Sequence, residues 1–226
     1  DPKEIIAKGA TSMASVKTVE FTGTFSGSVN VPNMGAMDLS TIKLSGVSDL
    51  ASKSAKFSFD APTLMGTKID AIVVGGAAYY KVAGPFAAMM GAASADKYTK
   101  TEIPTNSSDP FGLVTDTTKV TTQIQEALAK LPTPPTKGAD EKCGDQDCYH
   151  VTIKLTAAEM QALSPGSAGL DGDMTFDMWT RKSDYRPAKL SLSATSSQMG
   201  TFGMVLELKY DTAVSIAAPP ADQVAP

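Results

Sequence analysis

The stretch that decides the fold reads VEFTGTFSGSVNV and spans residues 19–31. Every second position from Val19 onwards is apolar or glycine, and the positions between them are polar. Because side chains alternate between the two faces of a strand, the pattern predicts one long strand with a buried face and a solvated face. Gly23 and Gly27 interrupt the apolar face, where they allow the strand to bend or another group to approach closely.

The same alternation recurs along the chain and predicts an antiparallel sheet. Gly75-Gly76 is typical of a two-residue hairpin turn between two of the strands. Between residues 36 and 48 the apolar parity shifts, which indicates one strand with a bulge. Further alternating segments lie at residues 55–61, 69–73, 149–155, 174–178 and 202–210.

Amphipathic helices are predicted at residues 3–14 and 119–131, and a short helix at 156–163 begins with a capping box. Strands with one apolar face satisfy a two-sheet sandwich, but the helix stripes also need a surface to pack on. We therefore expect an α+β fold, in which a curved antiparallel sheet forms an unclosed β-barrel with helices covering its concave face. The expected organisation is a single domain over residues 1–226, with 213–226 as an extended tail rich in Pro and Ala.

The amino-acid composition and net charge of the chain limit the kinds of partner that it can bind. The chain has 226 residues, 42% hydrophobic and 19% charged, which is enough apolar content for a core. Its net charge is −4 and no cluster of Lys and Arg stands out, so we expect no nucleic-acid partner and no attraction to anionic membranes. The most apolar run, residues 83–95, is too short to span a bilayer.

Two cysteines, Cys143 and Cys148, flank four residues that favour a tight turn. The segments on either side have strand character, so the pair is placed to staple a hairpin with a disulfide. The alternative is a pair of reduced thiols in a cytosolic protein. Disulfides persist mainly in oxidising compartments, so the disulfide hypothesis predicts an extracytoplasmic location.

Catalytic and metal sites find little support in the sequence. His150 is the only histidine, and strand parity places it on the solvated face, so we expect an exposed residue without a catalytic partner. A zinc site formed by His150, Cys143 and Cys148 would lack a fourth ligand. Residues 171–173 begin like a calcium loop but lack its later Gly and final Glu. We predict a non-enzymatic protein with no cofactor and no metal.

Met174–Trp179 followed by Asp184–Leu190 resembles the strand–Trp–turn–Pro–strand unit of the LppX/LprG group of lipoproteins, within the superfamily of LolA and LolB lipoprotein carriers. The ending from Tyr210 to Pro220 resembles the closing strand and tail of that group, and the order of elements is similar throughout. The resemblance implies an unclosed barrel over a hydrophobic cavity that carries a lipid, glycolipid or acylated ligand. It also implies a protein of the bacterial cell envelope, held at the membrane by an N-terminal lipid anchor whose cysteine is not among these residues. We expect the chain to be a monomer.

This resemblance makes the inward apolar residues candidates for a cavity lining, and the 11 methionines suit an adaptable ligand surface. The alternative is a filled core, as in an envelope sensor or assembly module with the same fold. Residues 84–95, small and apolar between glycines, are expected to form a mobile lid, with a fixed plug as the alternative. The candidate lining residues are Phe21, Phe25, Phe57, Phe59, Ile69, Val73, Tyr80, Phe86, Met89, Met90, Ile124, Leu128, Met174, Phe176, Met178, Leu192, Met204 and Leu206.

Overall fold

The computed structural model describes residues 1–31, 35–85, 87, 96–103, 122, 126, 129–163, 171–197 and 200–225. Within these residues, thirteen strands join in one largely antiparallel sheet. The strands are β1 (Thr18–Val31), β2 (Gly35–Asp38), β3 (Lys43–Asp49), β4 (Ser54–Ala61), β5 (Thr67–Val74), β6 (Ala77–Ala83), β7 (Thr99–Glu102), β8 (Thr136–Lys137), β9 (Glu141–Cys143), β10 (Gln146–Leu155), β11 (Met174–Arg181), β12 (Pro187–Ser196) and β13 (Gly200–Tyr210).

Two α-helices lie among the described residues, α1 (Pro2–Ser12) and α2 (Ala157–Leu163). At α1 the side chain of Asp1 accepts a hydrogen bond from the Lys3 amide at 2.7 Å, and Pro2 occupies the first turn. At α2 the predicted capping box is present, because the Thr156 amide donates to the Glu159 carboxylate at 2.8 Å and the Glu159 amide to the Thr156 hydroxyl at 3.3 Å. The helix predicted at 119–131 falls almost wholly outside the described residues.

The strand order is β7-β6-β5-β4-β3-β1-β13-β12-β11-β10-β8, with β2 beside β1 and β9 beside β10. Among the described strands, the terminal ones, β7 and β8, do not pair with each other, so the sheet that these strands form is open, as expected for an unclosed barrel. The predicted α+β class with an open antiparallel sheet is therefore confirmed. The Gly75-Gly76 hairpin is also confirmed, since both glycines have a positive φ and join the paired residues Val74 and Ala77.

The prediction of one bulged strand over residues 36–48 is wrong. The chain forms two strands there, β2 and β3, separated by a turn. The Asp38 carboxylate accepts a hydrogen bond from the Ser40 amide at 2.8 Å, which stabilises the turn. The change of parity arises because Leu39 and Ile42 are both buried within this turn.

Backbone contacts divide the chain into two compact units. Unit 1 contains residues 1–15, 24–40 and 120–208, and unit 2 contains residues 16–23, 41–119 and 209–226. In unit 1, Ile5 and Ile6 of α1 pack against Val151 of β10 and Met178 of β11. Burying one such side chain stabilises the fold by about 1.5–3 kcal/mol, which accounts for the docking of this short helix on the sheet.

In unit 2 the chain after β13 is fixed at both ends. At its start, the Asp211 carboxylate accepts a hydrogen bond from the Lys17 amide at 2.9 Å, and the Thr18 hydroxyl donates to the Thr212 carbonyl at 2.7 Å. Residues 212–220 lie outside regular elements. At the far end the Tyr98 amide donates to the Gln223 carbonyl at 2.8 Å, beside an isolated parallel bridge.

Candidate functional site

The apolar face of unit 2 is defined by the register of its strands. Phe57 pairs with Ala71, and Ala71 in turn pairs with Tyr80. In the next row Phe59 pairs with Ile69, and in the preceding row Ala55 pairs with Val73. Paired residues project to the same face, so this register brings together five of the candidate lining residues. They are Phe57, Phe59, Ile69, Val73 and Tyr80.

Burial on this face depends on side-chain size. The small residues Ala55 and Ala61 and the branched Val82 are fully or almost fully buried. The large residues Phe57 and Phe59 are only half-buried. An ordinary filled core buries its aromatic rings most completely, since they contribute the most apolar area. This face therefore keeps accessible apolar surface at its rings.

The opposite face of the same strands is mostly polar, with Ile72 and Tyr79 as its exceptions. It carries Lys56, Ser58 and Asp60 on β4, and Lys68 and Asp70 on β5. The Ser58 hydroxyl donates to the Asp70 carboxylate at 2.8 Å, which ties the two strands together on this side. The contrast between the two faces identifies the face that carries Lys56 and Asp60 as the solvated face.

Phe21 reaches the apolar face through a glycine. Gly46 of β3 pairs with Phe57, and a Cβ on Gly46 would collide with the Phe21 ring. The ring therefore crosses the space that a side chain at residue 46 would fill. Sequence reasoning did not single out Gly46, although a glycine inside a strand is a known signal of close approach.

An open groove of about 350 Å³ lies beside Phe21 in unit 2. That volume falls at the lower end of the range for small-molecule sites. The groove has both polar and apolar walls, and the chain after β13 forms one side of it. Its lining residues are Glu20, Phe21, Thr22, Ser45, Gly46, Val47, Lys56, Phe57, Ser58, Thr212, Ala213 and Val214.

In unit 1 the register aligns three apolar rows across β10 to β13. The row nearest α1 includes Met178, which is buried in the cluster that Ile5 and Ile6 close. The other two rows carry half-buried side chains except for Leu155 and Ala194, which are buried. The rows are Val151, Met178, Leu190 and Leu206; then Ile153, Phe176, Leu192 and Met204; then Leu155, Met174, Ala194 and Phe202.

Phe25 joins this face, because its ring meets Phe202 edge to face at 6.1 Å between centroids. The candidates Phe86, Met89, Met90, Ile124 and Leu128 lie outside the described residues, as does most of the proposed lid at 84–95. Only residues 84, 85 and 87 of that segment are described.

His150 lies on the face opposite these apolar rows, as predicted, but the expectation of an exposed residue is wrong. Its side chain is only 18% exposed. Its Nδ1 lies 3.0 Å from the Glu141 carboxylate, and its Nε2 lies 2.9 Å from the Asp177 carboxylate. Sequence parity gave the face correctly, but the pairing of β9, β10 and β11 brings two acids to the same ring.

Trp179 lies beside His150 and extends this cluster into a ladder across the sheet. The two rings stack at 4.4 Å between centroids and 10° between planes. The Lys189 ammonium lies 4.1 Å from the Trp179 centroid, and the indole N–H donates to Glu141 at 2.9 Å. This N–H is the main cause that holds the pKa of Glu141 below its ordinary value, and His150 adds to the effect.

The ladder does not assemble a nucleophile with a base. The Thr152 hydroxyl lies 3.4 Å from His150 Nε2, but it donates to Asp177 at the shorter distance of 2.6 Å. Its proton is therefore directed to the acid and not to the imidazole. Within the described ranges, the acids, histidine and cysteines form no cluster of three or more that could hold a metal ion.

Cys143 and Cys148 are joined in a disulfide with 6.0 Å between their Cα atoms. It closes the β9–β10 hairpin around Gly144, whose φ is +65°. Cys148 is fully buried. The disulfide and the ladder hold the same hairpin, since Glu141 belongs to β9.

No family model matches the sequence, and neither does any curated protein. The fold does match solved structures. Lipoprotein LppX of Mycobacterium tuberculosis aligns with a TM-score of 0.58 at 13% identity, covering 96% of this chain and 98% of its own. LprF of Mycobacterium bovis aligns with a TM-score of 0.58 at 12% identity, covering 96% of each chain. The chain thus has the fold of LppX and LprF, which confirms the predicted resemblance at the level of the fold. No helix among the described residues is long and apolar enough to cross a membrane.

Proposed function

We propose that this protein is a non-enzymatic carrier that binds a lipid, glycolipid or lipidated ligand on the apolar faces of its sheet. The observation that carries the proposal is the half-burial of large aromatic and aliphatic side chains on the apolar faces of the sheet. Phe57 and Phe59 in unit 2 and Phe176 and Met204 in unit 1 are such residues. Accessible apolar surface of this kind is typical of ligand sites and costly to leave in water.

The energetics of an acyl chain suit carriage without chemistry. Burying a methylene contributes about 0.8 kcal/mol, so a sixteen-carbon chain gains on the order of 12 kcal/mol in a membrane or on a dry protein surface. Transfer between the two environments is then close to neutral. A carrier of this type needs adaptable apolar contacts and no catalytic group.

The same proposal places the protein outside the cytoplasm, in the bacterial cell envelope, as a membrane-anchored lipoprotein. The disulfide supports an oxidising compartment, and the fold supports the carrier class. We propose that the chain acts as a monomer and as one carrier domain. The full set of candidate lining residues remains part of this proposal.

Native mass spectrometry of purified protein tests the function, followed by solvent extraction of bound material and incubation of stripped protein with a fluorescent fatty acid. A carrier is expected to show an added lipid mass and saturable binding of the probe. A protein that holds no lipid and binds no probe has a filled core, and the carrier proposal then fails in favour of an interaction module.

A further inference from the structure

Two tyrosines and three lysines that are far apart in sequence come together in unit 1. The Tyr149 and Tyr185 rings lie 5.8 Å apart between centroids. The Lys8 ammonium is 4.8 Å from the Tyr185 centroid, while those of Lys137 and Lys182 lie 5.6 and 5.3 Å from the Tyr149 centroid. We call these five residues the tyrosine–lysine patch. Its members come from α1, β8, β10 and the β11–β12 turn.

The lysines of the patch outnumber the carboxylates that contact them. Lys137 and Lys182 share one acid, Asp140, each at 2.6 Å, and Lys8 contacts Glu4 at 2.8 Å. Hydrogen bonds from Lys137 and then Lys182 hold the pKa of Asp140 below its ordinary value, so it is ionised at neutral pH. Three ammonium groups therefore meet two carboxylates, in a chain whose net charge is −4.

The surroundings of the patch do not reverse this balance. Asp147 also acts on Lys182, but it makes its own ion pair with Lys142 at 2.9 Å. On the turn that carries Tyr185, Arg181 and Arg186 both contact Asp184. Asp145, at the hairpin tip, lines a surface groove together with Lys182.

The patch is accessible. The side chains of Lys8, Lys137 and Lys182 are 48%, 35% and 35% exposed. Their ammonium groups lie over the tyrosine rings in cation–π contacts, on side chains that are partly open to solvent. Tyrosine is also the residue type enriched where a bilayer meets water.

The net charge of −4 taken alone predicts no attraction to anionic membranes, but the local excess of lysine reverses that expectation at this surface. We propose that the tyrosine–lysine patch docks the protein on the surface of a bilayer that contains anionic phospholipids. Lipid phosphates accept hydrogen bonds from the ammonium groups, and the ring edges lie at headgroup level. Each lysine near such a surface is worth about a fivefold gain in affinity. This proposal does not depend on the proposed lipid carriage, because it concerns binding to the vesicle surface and a different set of residues.

Co-sedimentation with vesicles of phosphatidylcholine alone, or mixed with phosphatidylglycerol, tests the proposal at low ionic strength. The wild type is expected to bind only the mixed vesicles, and added salt to weaken this binding. Lys8→Gln and Lys182→Gln should each weaken it about fivefold. Asp140→Asn should strengthen it by a similar factor, because it removes the carboxylate that two lysines share.

Matched controls come from the polar face of unit 2, where Asp60 and Lys68 form an exposed cross-strand pair. Lys68→Gln and Asp60→Asn make the same changes in net charge and should leave binding unchanged. If patch and control variants changed binding equally, the net charge of the protein alone would explain the result, and the proposal would be overturned. Binding of inorganic phosphate in calorimetry without vesicle binding would overturn it too, as a soluble-anion site. Circular dichroism verifies folding, and the fatty-acid probe shows whether carriage survives in the same variants.

Discussion

Gly46 shows how one absent side chain shapes the apolar face of unit 2. A Cβ at this position would collide with the Phe21 ring and approach the Lys56 carbonyl, so any larger residue must displace one of them. We expect Gly46→Val to destabilise the protein by about 1–3 kcal/mol, as overpacked cores do. Urea unfolding measures the change. Ser45→Val, on the neighbouring position and the opposite face, should have a much smaller effect, and equal effects would contradict the contact.

The hydrogen bonds of Asp171 predict how the stability of the protein changes at acid pH. Hydrogen bonds from the Ser196 and Ser197 side chains and the Ser197 amide lower the pKa of Asp171 from 3.8 to about 2. These bonds favour the charged carboxylate, so their contribution to stability is present above pH 3.8 and is lost as pH falls towards 2.

The variant Asp171→Asn should therefore melt below the wild type at pH 7 and at pH 5, with the gap narrowing through the acid range. Circular dichroism melts at several pH values measure that gap. Asp173→Asn, two residues away, provides the control for a lost charge. A gap that stays constant down to pH 2 would show that the carboxylate is not held by these bonds.

At the scale of elements, the ladder from Glu141 to Lys189 fastens the edge hairpin to the sheet. His150→Ala removes the stack on Trp179 and leaves two acids without their imidazole partner. We expect a loss of about 1–2 kcal/mol in the free energy of unfolding, since the ring is partly exposed. The single Trp reports the transition by fluorescence. Lys154→Ala, on the same face of β10, is the control and should change stability by much less.

The disulfide acts on the same hairpin through the unfolded chain. Its two cysteines are five residues apart, and closing so small a loop stabilises the fold by about 2 kcal/mol. Replacing both cysteines by serine should lower the free energy of unfolding by that amount without changing the ladder. Thiol labelling of unfolded, unreduced wild type should find no free thiol. Two labelled cysteines would remove the support for an oxidising compartment.

At the scale of the whole molecule, period-two patterns predicted most of the longer strands, because the alternation of buried and exposed positions is visible within each segment of sequence. The pairing between distant strands cannot be predicted from the sequence of a single segment. Glu141 and Asp177 meet at His150 only through the register of β9 to β11, and Lys8 reaches the Tyr185 ring only when α1 docks. The polar turn after Asp38 was likewise hidden, since a bulge and a turn both shift the parity.

The proposed carrier function rests on which face of the sheet meets the ligand, and neighbouring residues of β13 can separate the two faces. Met204 pairs with Leu192 on the apolar face, and Val205 pairs with Ser191 on the opposite face. Both side chains are half-buried, so their substitution by Gln disturbs the fold to a similar degree. If an acyl chain lies on the apolar face, only Met204→Gln places a polar group against it.

We expect Met204→Gln to weaken binding of a fluorescent fatty acid by about 1–2 kcal/mol, roughly five- to thirtyfold, from the lost apolar contact. Val205→Gln should leave the affinity within about twofold of the wild type. Urea unfolding of both variants controls for a general loss of stability. Equal weakening in the two variants, or a stronger effect of Val205→Gln, would show that the ligand does not lie on this face, and the carrier proposal would then lose its structural basis.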